Sequence, residues 1–290
     1  MPHILSLIGP HRHGGLTGAI LDRVAGRHGP VRILAPGDAA EFACETAPDI
    51  AAVVDMLDGA AIDAVVTSVA NRRKRLLIAD MDSTIVAGET LDELAVFAGV
   101  GEQVTAITRR SMNGELDFAA ALRERVGLLR GLPLAALEET WGGVRLTPGA
   151  LVLVRTMRAH GAYAALVSGG FTWFTGRVAE MCGFDVHRAN TLLDDGVALK
   201  GTVGEPILDR GAKLVALREF VVELGAGTGD ALAVGDGAND LDMIGVAGLG
   251  VAYHAKPIVA AAARARIDHA DLRALLYIQG YAAEEFAPDA

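Results

Sequence analysis

The stretch LLIADMDST, Leu76 to Thr84, decides the reading of this chain. Leu76–Ala79 are apolar without alternation, which suits a strand buried on both faces of a parallel sheet. The run ends in two carboxylates two residues apart, Asp80 and Asp82. A strand of this kind delivers them to its carboxyl end, where open α/β sheets bind ligands. Two like charges so close repel unless a cation lies between them or one holds a proton. Their oxygens suit Mg²⁺, and one Asp can also serve as a nucleophile toward phosphorus. The plain alternative is a solvated Asx turn after a strand.

Working outward, residues from Glu89 to about Trp141 carry helical patterns with no strand between them: ETLDELAVFAG, GEQVTAITRRSM, GELDFAAALRERVGLLRG and PLAALEETW. They predict an all-helical insertion, a cap over about 88–147. From Pro148 strands and helices alternate again, which predicts a doubly wound parallel sheet. Val167-Ser168-Gly169-Gly170 ends one strand and offers a hydroxyl and backbone N–H groups to an anion. HRANTLLDDGVALKGTV reads as a hairpin around Asp195-Gly196. Lys213 lies on a helix. Gly235-Asp236-Gly237-Ala238-Asn239-Asp240 follows another apolar strand, and LGVAYHA reads as the last strand. Each motif alone also fits an ordinary turn or a solvated side chain. Together they place three loops at one edge of one sheet.

This order of motifs resembles the haloacid dehalogenase superfamily over roughly residues 75–260. The resemblance implies an α/β fold with a doubly wound parallel sheet and a helical cap. It implies that Asp80 is the nucleophile and Asp82 the general acid/base. It further implies Mg²⁺ held by the carboxylates of Asp80 and Asp236 and the backbone carbonyl of Asp82. Ser168, Gly169 and Lys213 would hold phosphoryl oxygens, Asn239 would lie on the phosphate side, and Asp240 would orient the shell.

In the cap, Phe118, Leu122 and Arg125 share a helical face. An Arg at the end of an apolar stripe suits a small carboxylate, and a nearby Glu suits an ammonium. The alternative for Arg125 is a surface pair with Glu124 or Glu139. The stretch from Asp80 through the cap, with VSGGFTWFT and VGDGANDLDMI downstream, resembles the phosphoserine phosphatases of that superfamily. The resemblance maps Glu89, Met112, Phe118 and Arg125 onto contacts with the serine moiety. It implies Mg²⁺-dependent hydrolysis of O-phospho-L-serine through an aspartyl-phosphate, the last step of L-serine biosynthesis. The alternative is the same chemistry on another small phosphorylated alcohol or amino acid, or phosphate transfer between alcohols. A phospho-accepting receiver domain also uses an Asp at a strand end, but needs neither Asp82 nor a cap.

Before the joint NRRKR, Asn71 to Arg75, the chain reads βαββαβ, the order of a small ferredoxin-like sandwich. Related enzymes often carry ACT-type modules there. The expected units are an ACT-like α+β domain over 1–72 and the phosphatase domain over 73–290, with the joint a solvated turn between them. An exposed sheet in the first unit makes a homodimer an expectation.

The 290 residues are 51% hydrophobic and 21% charged, which excludes a disordered chain. Lys and Arg number 26 against 36 Asp and Glu, a net charge of −10 that argues against sequence-independent nucleic-acid binding. The two cysteines are too few for a disulfide framework or a thiolate zinc site. The start, MPHILSLIGPHRHGG, lacks a basic region ahead of a long apolar core, and no apolar run reaches the length of a membrane helix. A cytoplasmic enzyme acting on a small molecule is expected.

Overall fold

The computed structural model describes residues 2–112 and 115–289, without the side chains of 111 and 112. The N-terminal part has the βαββαβ order. Strands β1 (His3–Ile8), β2 (Val31–Ala35), β3 (Ala39–Cys44) and β4 (Asp63–Ser68) form an antiparallel sheet in the order β2-β3-β1-β4. Helices Gly18–His28 and Ile50–Leu57 are capped by Thr17 and Asp49, whose side chains accept from Ile20 and Ala51 N–H. Alternation in β1 sends Leu5 and Leu7 into a core with Val24, Phe42 and Val53 under these helices.

The other face of this sheet is not open. Ile8, Leu34, Ala39 and Val65 belong to the same apolar cluster as Leu272, Leu275, Leu276 and Ile278 near the C-terminus, where the short helix Ala274–Ile278 packs on β1 and β3. The face expected to pair across a two-fold axis is therefore covered by the chain itself. What remains open is the edge of β2, with Val31 and Ile33 exposed.

The joint Asn71 to Arg75 is only partly a solvated turn: Asn71, Arg73 and Arg75 are exposed, but Arg72 and Lys74 are drawn inward. Arg72 reaches into this seam, its Nη2 2.7 Å from the buried Glu41 carboxylate and its Nε donating to Ile278 O (2.7 Å). Lys74 is buried, donating through Nζ to Asn71 O and Gly229 O, while its N–H donates to Gln279 Oε1. Arg73 lies 3.9 Å over the Tyr281 ring. The two inward cations, Arg72 and Lys74, are satisfied by carbonyls or by an acid brought from elsewhere in the chain, as burial demands.

The second sheet has six parallel strands in the order β12-β11-β10-β5-β6-β7: β5 (Leu76–Ala79), β6 (Tyr163–Phe171), β7 (Val186–Asn190), β10 (Ala231–Gly235), β11 (Leu249–Tyr253) and β12 (Ala265–Ile267). Helices cover both faces, as the alternating pattern predicts. Two local readings change. The stretch taken as one hairpin divides, because Val186–Asn190 pairs parallel with β6. Only β8 (Leu192–Asp194) and β9 (Leu199–Val203) form the antiparallel hairpin. Nor is β11 the last strand, since β12 adds beyond it.

Between β5 and β6 the described residues of the insertion are helical: Thr90–Phe97, Gly101–Met112, Phe118–Gly127 and Ala135–Gly143. Its two ends are tied where Ala87 N–H donates to Arg145 O and Thr147 N–H to Ile85 O (both 2.9 Å). The hairpin supports it from below, Gly131 N–H donating to Leu199 O.

Candidate active site

β5 lies between β6 and β10, so the loops leaving these three strands meet at one edge. Asp80 extends the ladder by donating its N–H to Val234 O (3.1 Å). Beyond it the backbone winds into one tight turn, Met81–Ile85, with Ser83 at φ 55°. A non-glycine residue there carries strain of about 1 kcal/mol. The turn is held by Ser83 N–H to Gly88 O and by Ser83 Oγ donating to Glu89 Oε1 (2.7 Å).

The acids are crowded. Oxygens of Asp80, Asp236 and Asp240 lie within 4.8 Å of one another, and all three residues are buried. Lys213, 1% exposed, has its Nζ 2.8 Å from Asp80 Oδ1 and 2.7 Å from Asp240 Oδ1. Burial by itself would lower its pKa, but Asp240 and Asp80 overcome this and hold the ammonium above its ordinary value. Burial raises the pKa of Asp236 and Asp240. Asp82 is raised well above the carboxylate range by burial first, then by the charges of Glu89 and Asp80. It accepts from Thr90 N–H at Oδ1 (3.1 Å). Asp82 is therefore the member of the set suited to carry a proton, while Asp80 faces the Lys213 ammonium.

These groups fit a hard divalent cation. Buried carboxylates destabilised as anions and offering only oxygen are the donor set such an ion takes. Asp240 is the least free of the three, because Lys213 takes Oδ1 and Gly237 N–H takes Oδ2 (3.0 Å). It orients Lys213 and the loop, which leaves Asp80 and Asp236 as the carboxylates available to a metal. Gly235 permits this, since a Cβ there would stand 2.3 Å from the Asp240 carboxyl carbon.

Ser168 is buried at the β6 end and its Oγ accepts from Gly170 N–H (2.9 Å). The glycines lie where any side chain would crowd its neighbours. A Cβ on Gly169 would come 3.1 Å from Phe118 Cζ, and one on Gly170 would come 2.9 Å from Asp82 Oδ2. Cap and core thus touch at Phe118 and Gly169, and the loop runs directly past the acid.

Glu89, Phe118, Leu122 and Arg125 line one cavity of about 120 Å³ with Asp80, Asp82, Ser168, Asp236 and Asn239. That size suits a small metabolite. Arg125 makes no surface pair with Glu124, which binds Arg110 instead, and Arg125 Nε donates to Ala121 O (3.3 Å). Burial lowers the guanidinium's pKa, a loss of solvation that an incoming carboxylate would offset. Met112 ends the helix Gly101–Met112, and its side chain lies outside the described residues.

Two residues that border the site belong to none of the sequence motifs. Asn190 is buried and ties the Ser168 loop down, donating from Nδ2 to Gly169 O (2.9 Å) while Oδ1 accepts from Leu208 N–H (2.7 Å). Lys256 lines the cavity, its Nζ 3.6 Å from Asp236 Oδ2.

The family profile described as haloacid dehalogenase-like hydrolase matches residues 77–245. A phosphoserine phosphatase of Streptomyces coelicolor is 41% identical over 256 residues, which are 86% of this chain and 62% of that protein. The chain spans between about half and two thirds of the length of the first curated relatives it matches. Among solved structures, a probable phosphoserine phosphatase from Vibrio cholerae superposes with a TM-score of 0.80 at 32% identity, covering 98% of this chain and 88% of that one. A substrate-bound phosphoserine phosphatase superposes with a TM-score of 0.66 at 39% identity, covering 70% of this chain and 97% of that one.

Proposed function

The chain belongs to the haloacid dehalogenase-like hydrolases, and from that premise we propose that it hydrolyses O-phospho-L-serine to L-serine and phosphate. The observation that carries this reading is one small cavity holding a nucleophile, an acid, a phosphate cradle and, under the cap, one cation and one anion. Arg125 takes the substrate carboxylate and Glu89 its ammonium, with Phe118 against the carbon between them. Ser168 and the N–H groups beside it take phosphoryl oxygens, with Asn239 on the same side. Lys213 stabilises negative charge as phosphorus moves.

Asp80 attacks phosphorus and forms an aspartyl-phosphate while the bond from phosphorus to the serine oxygen breaks. Asp82 gives its proton to that oxygen. As a carboxylate, Asp82 then takes a proton from the water that attacks the phosphoenzyme, and phosphate leaves with Asp80 regenerated. Asp80, Asp236 and the backbone carbonyl of Asp82 are the groups that would hold Mg²⁺. The ion's part is to screen the carboxylate from the phosphate it approaches. Two buried free cysteines, Cys44 and Cys182, fit a reducing cytoplasm. Among the described residues no helix is long and apolar enough to cross a membrane.

The test is phosphate release from a panel of phosphorylated amino acids, alcohols and an aryl phosphate. O-phospho-L-serine is expected to have the highest kcat/KM, activity to vanish in EDTA and Mg²⁺ to restore it. Arg125→Ala is expected to lower kcat/KM for phosphoserine about 10- to 100-fold, the worth of a charged hydrogen bond to a buried carboxylate. It should leave the aryl phosphate nearly untouched. Equal loss on both substrates would assign Arg125 to the fold or the phosphate cradle, and undiminished turnover in EDTA would remove the metal.

A further inference from the structure

The turn after β11 brings a cation to the acidic cluster from outside every sequence motif. His254 stands at φ 42°, in the left-handed region. It is pinned there by its N–H on Ile267 O (2.8 Å) and by Nε2 on Ala270 O (2.9 Å). Two residues on, the N–H of Lys256 donates to Asp236 O (3.1 Å). Pro257 then opens a helix, Pro257–Ala262, so the backbone of Lys256 is fixed on both sides. Only the ammonium on its four-carbon stem is free to move. It sits at the cavity mouth, 50% exposed, 3.6 Å from Asp236 Oδ2.

The pairing is selective. Lys213 answers Asp80 and Asp240 from inside the protein, and it does not pair with Asp236. Lys256 answers Asp236 from the mouth. Each of the three clustered carboxylates thus has an ammonium partner before any divalent ion arrives, and one of those partners is able to withdraw into solvent. Asp236 Oδ2 cannot pair closely with the ammonium and bind a divalent cation at full strength together, since two cations at that distance repel.

We propose that Lys256 is a tethered counter-ion that competes with the divalent cation for Asp236. It keeps the acidic cluster neutralised in the metal-free enzyme and yields Asp236 on loading, which weakens metal affinity. The proposal rests on the metal reading given above and deepens it.

The readout is Mn²⁺ binding to the metal-free 290-residue chain, followed by the loss of the free-ion electron paramagnetic resonance signal and by calorimetry. Lys256→Met keeps the length of the stem and removes the charge. It is expected to bind Mn²⁺ roughly three- to tenfold more tightly than the parent, the scale of a partly screened unit charge. It should also gain more in Tm when the ion is added. Lys256→Arg keeps the charge and should bind close to the parent's affinity. Asp236→Ala serves as the control and should bind far more weakly. If Asp236→Ala binds like the parent, the metal reading fails and the competition fails with it. If Asp236→Ala loses binding while Lys256→Met binds no more tightly than the parent, the metal site stands and the counter-ion proposal is overturned.

Discussion

Asp80→Asn is expected to abolish phosphate release, by about 10⁴-fold or more, while the protein stays folded. The size follows from what the substitution removes. An amide nitrogen and carbonyl cannot form the acyl phosphate, so the reaction loses its covalent route rather than one stabilising contact. The fold should tolerate the change because the shape is kept and Oδ1 can still accept from Met81 N–H, as it does at 2.8 Å in the parent. Lys213 retains Asp240 as its partner. Circular dichroism and Tm establish the folded state, and release of phosphate from phosphoserine gives the rate. A folded Asp80→Asn protein within tenfold of the parent's kcat would remove Asp80 from the role of nucleophile. Asp82→Asn is the informative companion. It should slow both the formation and the hydrolysis of the phosphoenzyme, because each step passes a proton through that carboxyl.

The meeting of the motif loops at one sheet edge was legible from the sequence because its signals are local. An apolar strand followed at once by a carboxylate reads the same in the chain as in the fold, and β5 with Asp80 or β10 with Asp236 needed no partner to be recognised. The parts that were not legible depend on contacts made far along the chain. Val186–Asn190 is polar because it is an edge strand with half-buried side chains, so it lacks the apolar run that marked β5. The strand Ala265–Ile267 is three residues long and shorter than any pattern can show. Lys256 follows no motif, and only the sheet order sets it beside Asp236. The joint is the clearest case. Four successive cations, Arg72 to Arg75, read as a solvated turn, yet Arg72 finds a carbonyl at Ile278, 206 residues on, and a buried carboxylate at Glu41. Charge in a sequence says only that a counter-charge is required, not that water supplies it.

That same seam sets the last expectation. From the sequence the chain from Arg72 onward carries every catalytic motif, which would let residues 72–290 stand alone as an active enzyme. The structure argues that they will not. Removing residues 1–71 strips Ile8, Leu34, Ala39 and Val65 from the cluster that contains Leu272, Leu275, Leu276 and Ile278. At about 1.5–3 kcal/mol for each large apolar side chain returned to water, the loss rivals the roughly 5–15 kcal/mol that hold a whole domain. The polar side of the seam fails with it. Asp63, 4% exposed, accepts from the N–H groups of Asp268 (2.8 Å), His269 and Ala270 (2.8 Å), and these groups lose their acceptor. The fragment is therefore expected to aggregate, or to melt at least about 10 °C below the parent. Asp63→Ala in the full chain isolates the polar part. It should cost about 3 kcal/mol, since it leaves up to three inward-facing N–H groups unpaired. Asp63→Asn, which keeps one acceptor oxygen, should fall between Asp63→Ala and the parent. Thermal melts followed by circular dichroism, with light scattering for the state of association, decide the matter. A monodisperse fragment melting with the parent would show that the N-terminal sheet only rests on the catalytic part. An unchanged Tm for Asp63→Ala would show that the loop at 268–270 finds its hydrogen bonds elsewhere.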